Sequence, residues 1–177
     1  MRWWRAIQNY AESNDPLGRM TNLIALCIVG NQPIYPLYVW WCLGHWDARV
    51  LATWSTTPLF ALVPRVGRQD PWAGKLLMCT AGIVNTVLAV LLLGRDSGVG
   101  LFFLPCALLC VLLLGRWIGW LLLLATFVLG FWLDEIARVS LPQLFRMNAL
   151  SVGTLLSFII YLFYRAHRSL GVPPPPS

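Results

Sequence analysis

Histidine and cysteine are the side chains of this sequence best suited to metal, haem or redox chemistry, and it contains two and five of them. His45 lies in a predicted loop, GHWD, and His167 follows the last apolar segment, so we expect them at opposite ends of the predicted helices. A separation of about 30 Å, the thickness of the hydrocarbon layer, prevents both from ligating one haem within a chain. A single haem ligand or a histidine pair across a dimer remains open. His45 also suits a hydrogen bond in the outer interface or a group that titrates near neutral pH.

The cysteines are predicted to be small buried hydrophobic residues rather than a metal or redox site. None forms a CxxC pair, Cys106 and Cys110 lie one helical turn apart without a nearby histidine, and only Cys42 is placed where a disulfide is suited. The sequence also contains no Gly-rich phosphate loop, no HExxH motif and no serine flanked by glycines. We therefore expect neither an enzyme nor a bound cofactor or metal.

Amide, hydroxyl and aromatic side chains are the remaining candidates for function. Asn31 and Gln32 interrupt an apolar segment and are followed by two prolines, which should kink the helix and free backbone carbonyls, including that of Gln32. We predict a polar pocket among the first, third and sixth membrane spans that opens outward past aromatic residues. Its predicted ligand-binding residues are Asn31, Gln32, Tyr35, Trp41, His45, Asn85 and Asn148. The alternative is that the polar side chains only join the helices, through hydrogen bonds worth on the order of 0.6 kcal/mol each in lipid.

The composition excludes an ordinary soluble protein. Of 177 residues, 58% are apolar and 11% are charged, against about 25% charged in a typical globular protein. Intrinsic disorder is excluded as well, because it requires low hydrophobicity. The formal net charge of +6 could suit nucleic acid, but no basic run is present, so anionic membrane lipids are the expected partner.

Six apolar segments have about the length, roughly 20 residues, that a membrane-spanning helix requires. They are predicted at residues 21–43, 49–64, 72–93, 99–114, 117–133 and 144–164. Asp15-Pro16 and Asp70-Pro71 supply the N-cap and first-turn signals of the first and third helices. The predicted fold is therefore an all-α, polytopic six-helix transmembrane bundle over residues 15–168.

Both ends of the chain lie outside this bundle. Residues 1–14 place Trp3, Ile7 and Tyr10 on one helix face with arginines beside them, which predicts an N-terminal amphipathic helix in the headgroup layer. A surface helix packed on its neighbours is the alternative. Residues 169–177 are predicted to be a proline-rich tail of polyproline II type.

Lysine and arginine set the predicted orientation. With six spans, nine of the 13 fall on the side that holds both termini and four on the other. Because cytoplasmic loops are enriched in these residues, we expect a multi-pass protein of the bacterial inner membrane with both termini in the cytoplasm.

Residues 82–116, GIVNTVLAVLLLGRDSGVGLFFLPCALLCVLLLGR, place Asn85 in one helix, then a short glycine-containing turn, and then Phe102 and Phe103 before a proline and a leucine-rich run. This pattern resembles the six-helix membrane anchors of bacterial class III adenylate cyclases and related membrane sensors. The resemblance implies a dimeric bundle that receives an outer or lipid-borne signal and passes it inward through the sixth helix. No cyclase domain follows Arg168, so it implies an excised receiver region or a free-standing relative that acts through a partner.

The leading hypothesis is therefore a signal-receiving or regulatory membrane domain that binds a small or lipophilic ligand. A structural subunit of a larger membrane complex and a small-solute transporter are the alternatives. We expect a receiver to form a homodimer alone and a subunit to purify only with larger partners. A transporter would be expected to contain an inverted repeat. The two similar segments, STTPLFAL and LFFLPCALL, lie in predicted spans of the same direction, which argues against such a repeat.

Overall fold

The computed structural model describes residues 2–46, 48–94, 97–114 and 142–169, and the regular secondary structure of these residues is helical. In chain order the helices are α1 (Arg2–Ala11), α2 (Pro16–Asn31), α3 (Tyr35–Leu43), α4 (Ala48–Leu51), α5 (Thr57–Gln69), α6 (Pro71–Leu93), α7 (Phe103–Leu114) and α8 (Pro142–Ser169). Two 3-10 segments, Ala52–Thr56 and Val99–Phe102, precede α5 and α7. The predicted all-α class is confirmed.

Two aspartates begin α2 and α6, as the sequence predicts. Asp15 Oδ1 accepts a hydrogen bond from the backbone N–H of Leu17. Asp70 Oδ1 accepts hydrogen bonds from the backbone N–H groups of Trp72 and Ala73. Each aspartate is followed by a proline, whose fixed φ and missing N–H suit the first helical position. The caps satisfy donors that a helix end leaves free, and they fix where both helices begin.

The first predicted span is broken in the middle, as its sequence indicates. α2 ends at Asn31, α3 begins at Tyr35, and the two helices are bent by 45°. Pro36 has no N–H, so the carbonyl of Gln32, one turn earlier, lacks a helical partner. The indole Nε1 of Trp54 donates a 2.7 Å hydrogen bond to this carbonyl. The break is therefore stabilised by a side chain from the neighbouring segment.

The second predicted span, residues 49–64, is not one continuous helix. It is divided among α4, the 3-10 segment Ala52–Thr56 and α5, which extends to Gln69. The Thr53 hydroxyl donates a 2.6 Å hydrogen bond to the carbonyl of Val50, and the Thr56 hydroxyl lies 2.9 Å from the carbonyl of Thr53. These local bonds compete with a regular helix, which explains why this apolar segment changes its helical form.

The described helices establish fewer membrane crossings than the six predicted. Pro71–Leu93 and Leu144–Arg168 are long and apolar enough to cross a membrane, and the bent pair α2–α3 makes a third candidate if it counts as one span. Val99–Leu114 is apolar but shorter. The predicted fifth span, residues 117–133, lies outside the described residues, as does the tail beyond residue 169.

α6 packs against most of the other helices. It contacts α2, α5 and α7 and contributes buried residues to both hydrophobic core clusters. The larger cluster includes Phe60 and Met78, and the smaller one surrounds Val39 near α3 and α4. α5 and α6 approach closely at two glycines, where a Cβ added to Gly74 would lie 2.5 Å from the Cα of Gly67. A larger side chain at this crossing would push the two helices apart.

α1 packs against α5. The Tyr10 hydroxyl donates a hydrogen bond to the carbonyl of Ala61. Arg68 Nη2 donates to the carbonyls of Asn9 and Tyr10, and its guanidinium carbon lies 5.1 Å from the centre of the Tyr10 ring. A cation at the C-terminal end of a helix interacts favourably with the helix dipole. α1 is therefore packed on its neighbours, and its contact with lipid headgroups stays a prediction.

An ion pair joins the start of α2 to α6. Lys75 Nζ lies 2.6 Å from Asp15 Oδ2. Partial burial raises the pKa of the Asp15 carboxyl, but the hydrogen bond and positive charge of Lys75 and the backbone N–H groups of Leu17 and Gly18 outweigh this effect. The pKa of Asp15 is consequently lowered, and the ion pair favours the folded chain when Asp15 is ionised.

Candidate functional site

A cavity of about 530 Å³ lies where the two core clusters meet. Small-molecule sites in proteins typically measure about 300–1,000 Å³ and have largely apolar walls with a few polar groups. Phe60, Met78, Leu109 and Phe158 belong to the apolar part of this wall. None of the lining residues that the structure describes carries a charge. The cavity therefore has the size and lining of a small-molecule site.

Asn85 is the centre of the polar part of the wall. Its Oδ1 accepts a 2.6 Å hydrogen bond from the Thr56 hydroxyl and a longer one, 3.3 Å, from Gln32 Nε2. Thr56 comes from the 3-10 segment and Gln32 from the end of α2, so Asn85 joins three elements at the helix break. The side-chain nitrogen of Asn85, Nδ2, carries two N–H groups, and neither donates a hydrogen bond to a described residue. These donors are available to a further partner.

Tyr35, the first residue of α3, also lines the cavity. Its ring packs edge-on against that of Tyr38, with the ring centres 4.7 Å apart. The Tyr35 hydroxyl is buried near the Tyr38 hydroxyl and the Asn148 side chain, yet it has no partner with proper hydrogen-bond geometry in the described part of the chain. A buried polar group without a partner costs about 1–3 kcal/mol. A ligand that bonds to this hydroxyl would remove that cost.

Asn148 belongs to a separate polar cluster beside the cavity. Its Oδ1 accepts a 2.9 Å hydrogen bond from the Tyr38 hydroxyl, and its Nδ2 donates a 2.8 Å hydrogen bond to the carbonyl of Ser97. The side chain is fully buried and does not line the cavity. Asn148 therefore joins α8 to α3 and to the turn before α7, as expected of a residue that holds helices together.

A protein-family model matches most of the sequence of this helical bundle. The model named MASE7 matches residues 7–160, from within α1 to most of α8. The chain belongs to the MASE7 family. This is a membrane-associated sensor family, so the match and the apolar helices together make the chain a membrane-associated sensor domain. No curated protein and no solved structure matches it.

The family match confirms part of the predicted resemblance. The MASE7 domain is a membrane sensor, as the resemblance implies, but the match contains no link to adenylate cyclases. The identity of the ligand and of the partner is not part of the match either.

The structure brings four of the seven predicted ligand-binding residues of the MASE7 domain to the cavity wall: Asn31, Gln32, Tyr35 and Asn85. Asn148, in its separate cluster, is not among them. Trp41 is 79% exposed and lies outside the wall, because six residues after Tyr35 the helix has turned by about 120°. His45 is also exposed and outside the wall, with its Nδ1 3.0 Å from the carbonyl of Leu43.

Sequence reasoning missed the part of the wall that the 3-10 segment and α7 contribute. Thr53 lines the cavity, and Thr56 bonds to Asn85. Threonines clustered in an apolar segment before a proline are the signal that could have indicated this wall. Cys106 of α7 also lines the cavity, with its Sγ 3.7 Å from the Thr86 hydroxyl. No sequence pattern around Cys106 indicates that position.

The exposed part of the cavity wall lies on α2 and α8. Cys27 and Asn31 of α2 and Leu150 and Thr154 of α8 line the cavity and are also exposed at the surface. Leu150 is 68% exposed, although it is a large apolar residue within a membrane-spanning candidate. The cavity is therefore accessible from the side of the MASE7 bundle, between α2 and α8.

Proposed function

We propose that this MASE7 chain is the signal-receiving domain of a bacterial inner-membrane sensor. In this proposal a small or lipophilic ligand binds in the cavity, and the bound state acts on a cytoplasmic or membrane partner. The observation that carries the proposal is the cavity itself, which joins an uncharged apolar wall to the polar side chains at the α2–α3 break. The proposal gives the chain no catalytic step, because its lining residues are suited to binding by shape and hydrogen bonds.

We further propose that the chain crosses the membrane six times, with both termini in the cytoplasm, and works as a homodimer or within a larger membrane complex. The distribution of lysine and arginine supports this orientation, since the side that holds both termini carries nine of the 13. The third, fourth and sixth predicted spans correspond to α6, Val99–Leu114 and α8. The first corresponds to the bent pair α2–α3.

α8 is the proposed route from the cavity to the partner. Its residues Leu150, Ser151 and Thr154 line the cavity together with polar residues of α2 and α6. Its C-terminal end continues beyond the cavity to the basic residues Arg165 and Arg168. A ligand shifts a conformational equilibrium only if it binds two states with different affinity. A ligand held between α2 and α8 meets this condition if the distance between the two helices differs between the states.

The first experiment tests whether the cavity holds a ligand. Thr154→Trp places a large side chain at the exposed edge of the cavity, and Ser157→Trp is its matched control one turn further along α8. Both native hydroxyls donate to the carbonyl four residues earlier, and both residues are exposed, but only Thr154 lines the cavity. The full chain is purified with native lipid, and the bound small molecules are identified by native mass spectrometry.

We expect the wild type and Ser157→Trp to retain the same small molecule. Thr154→Trp should bind it at least about tenfold more weakly, which corresponds to about 1.4 kcal/mol of binding free energy. Equal melting temperatures of the two variants establish that both are folded. Equal occupancy in Thr154→Trp and Ser157→Trp would contradict the proposal, and so would a wild-type chain that carries no small molecule.

A further inference from the structure

The wall of the cavity limits the charge of its ligand. None of the described lining residues is a lysine, arginine, histidine, aspartate or glutamate. Transfer of an ionised group into such surroundings without a paired charge costs several kcal/mol, even after the protein relaxes. An uncharged molecule avoids this cost, and the apolar residues around Phe60 and Met78 favour a hydrocarbon part.

The unused hydrogen-bond groups of the wall limit the ligand further. Tyr35 Oη is buried and has no partner of proper geometry within the described ranges. Asn85 Oδ1 already accepts two hydrogen bonds, from Gln32 and Thr56, whereas Asn85 Nδ2 donates none to a described residue. Tyr35 Oη can donate one hydrogen bond and can also accept, whereas Asn85 Nδ2 can only donate, so a ligand group that meets both is a hydrogen-bond acceptor. A carbonyl oxygen fits this description.

The accessible side of the cavity indicates how such a molecule arrives. The exposed residues among the described part of the wall are Cys27 and Asn31 on α2 and Met147, Leu150 and Thr154 on α8. α8 is a membrane-spanning candidate, and Leu150 lies in its apolar stretch. An entrance between these helices opens at the depth of the lipid hydrocarbon, where an uncharged lipophile dissolves and an ion does not.

We propose that the ligand is an uncharged lipophile whose carbonyl group accepts hydrogen bonds from Tyr35 Oη and Asn85 Nδ2, and which enters from the bilayer between α2 and α8. This inference rests on the proposed function and specifies its ligand class. It distinguishes the site from one for a fatty acid, a peptide or a metal ion, each of which brings a charge into the cavity.

The test compares three probes with similar hydrocarbon chains but different polar groups: methyl octyl ketone, decanoate and decane. The full chain is reconstituted in phosphatidylcholine vesicles, and binding is measured as a ligand-dependent rise in melting temperature, corrected for partition of each probe into lipid. The test variant is Tyr35→Phe, and the matched control is Tyr38→Phe. Both remove one hydroxyl from α3, but of the two only the Tyr38 hydroxyl has a hydrogen-bond partner among the described residues, Asn148.

We expect the wild type to bind the ketone at least about tenfold more tightly than decanoate or decane. Tyr35→Phe should weaken ketone binding about three- to tenfold, the effect of one hydrogen bond, without lowering thermal stability. Tyr38→Phe should lower thermal stability and leave ketone binding unchanged. Decanoate bound as tightly as the ketone, or ketone binding unaffected by Tyr35→Phe, would overturn the assignment.

Failure of this inference differs from failure of the proposed function. If none of the three probes binds while Thr154→Trp still loses a molecule that Ser157→Trp retains, the cavity is a ligand site and the carbonyl lipophile is the wrong class. If Thr154→Trp and Ser157→Trp retain the same molecule equally, the cavity is not the site, and both proposals are refuted.

Discussion

Replacement of Asn148 by leucine should destabilise the protein without weakening ligand binding. Leucine is the apolar side chain closest to asparagine in branching, and the change removes two hydrogen bonds, of 2.9 Å from Tyr38 and 2.8 Å to Ser97. In soluble proteins each partner left buried and unpaired costs about 1–3 kcal/mol. Hydrogen bonds between membrane helices measure about 0.6 kcal/mol on average and at most about 1.7 kcal/mol. We therefore expect a loss of about 1–3 kcal/mol for Asn148→Leu.

A double-mutant cycle isolates the bond between Asn148 and Tyr38. The single variants Asn148→Leu and Tyr38→Phe each break it, so the double variant should be less destabilised than the sum of the two by about 0.6–1.7 kcal/mol. The free energy of unfolding is measured in bicelles for the four chains. Binding of the molecule that is retained by the wild type is measured in parallel and should be equal in all four.

Two results would refute this reasoning. If the effects of the two substitutions add to within about 0.3 kcal/mol, the pair makes no significant bond in the membrane. If Asn148→Leu loses the bound molecule while its stability is unchanged, Asn148 is a ligand-binding residue, as the sequence pattern predicts, and the separate cluster is misinterpreted.

Two further predictions concern the packing of α5, α6 and α2. Gly74→Ala should lower the free energy of unfolding by about 1–3 kcal/mol, because its Cβ would lie 2.5 Å from the Cα of Gly67. Gly30→Ala is the control, and it should stabilise α2 by about 0.5–1 kcal/mol, because a Cβ there meets no atom of the described residues within 4 Å. Asp15→Asn retains a good N-cap but removes the charge that pairs with Lys75, so it should cost about 0.3–1 kcal/mol near neutral pH. Because the pKa of Asp15 is lowered on folding, this difference should be complete above its ordinary value of 3.8 and disappear as the pH falls through the lowered value. Thermal unfolding of each variant against pH measures both effects.

Local sequence signals predicted the parts of the fold that depend on neighbouring residues. Asp15 and Asp70, each before a proline, predicted where α2 and α6 begin, because an N-cap involves residues only two or three positions apart. The prolines after Gln32 predicted the break between α2 and α3 for the same reason. The effect of the threonines before α5 on the helical form of residues 49–64 was not predicted, because it depends on which carbonyl each hydroxyl reaches.

The sequence by itself determined that this is a membrane protein built of helices, because 58% apolar residues and apolar runs of helical length leave no other solvent for most of the chain. It also determined which polar residues interrupt those runs. Only the tertiary structure decided their separate roles, because each role depends on contacts between residues far apart in the chain. Gln32 meets Asn85 across 53 positions at the cavity wall, and Tyr38 meets Asn148 across 110 positions beside it. Hydropathy and helical period place a residue on a helix, but the rotation and packing of neighbouring helices decide what its side chain contacts.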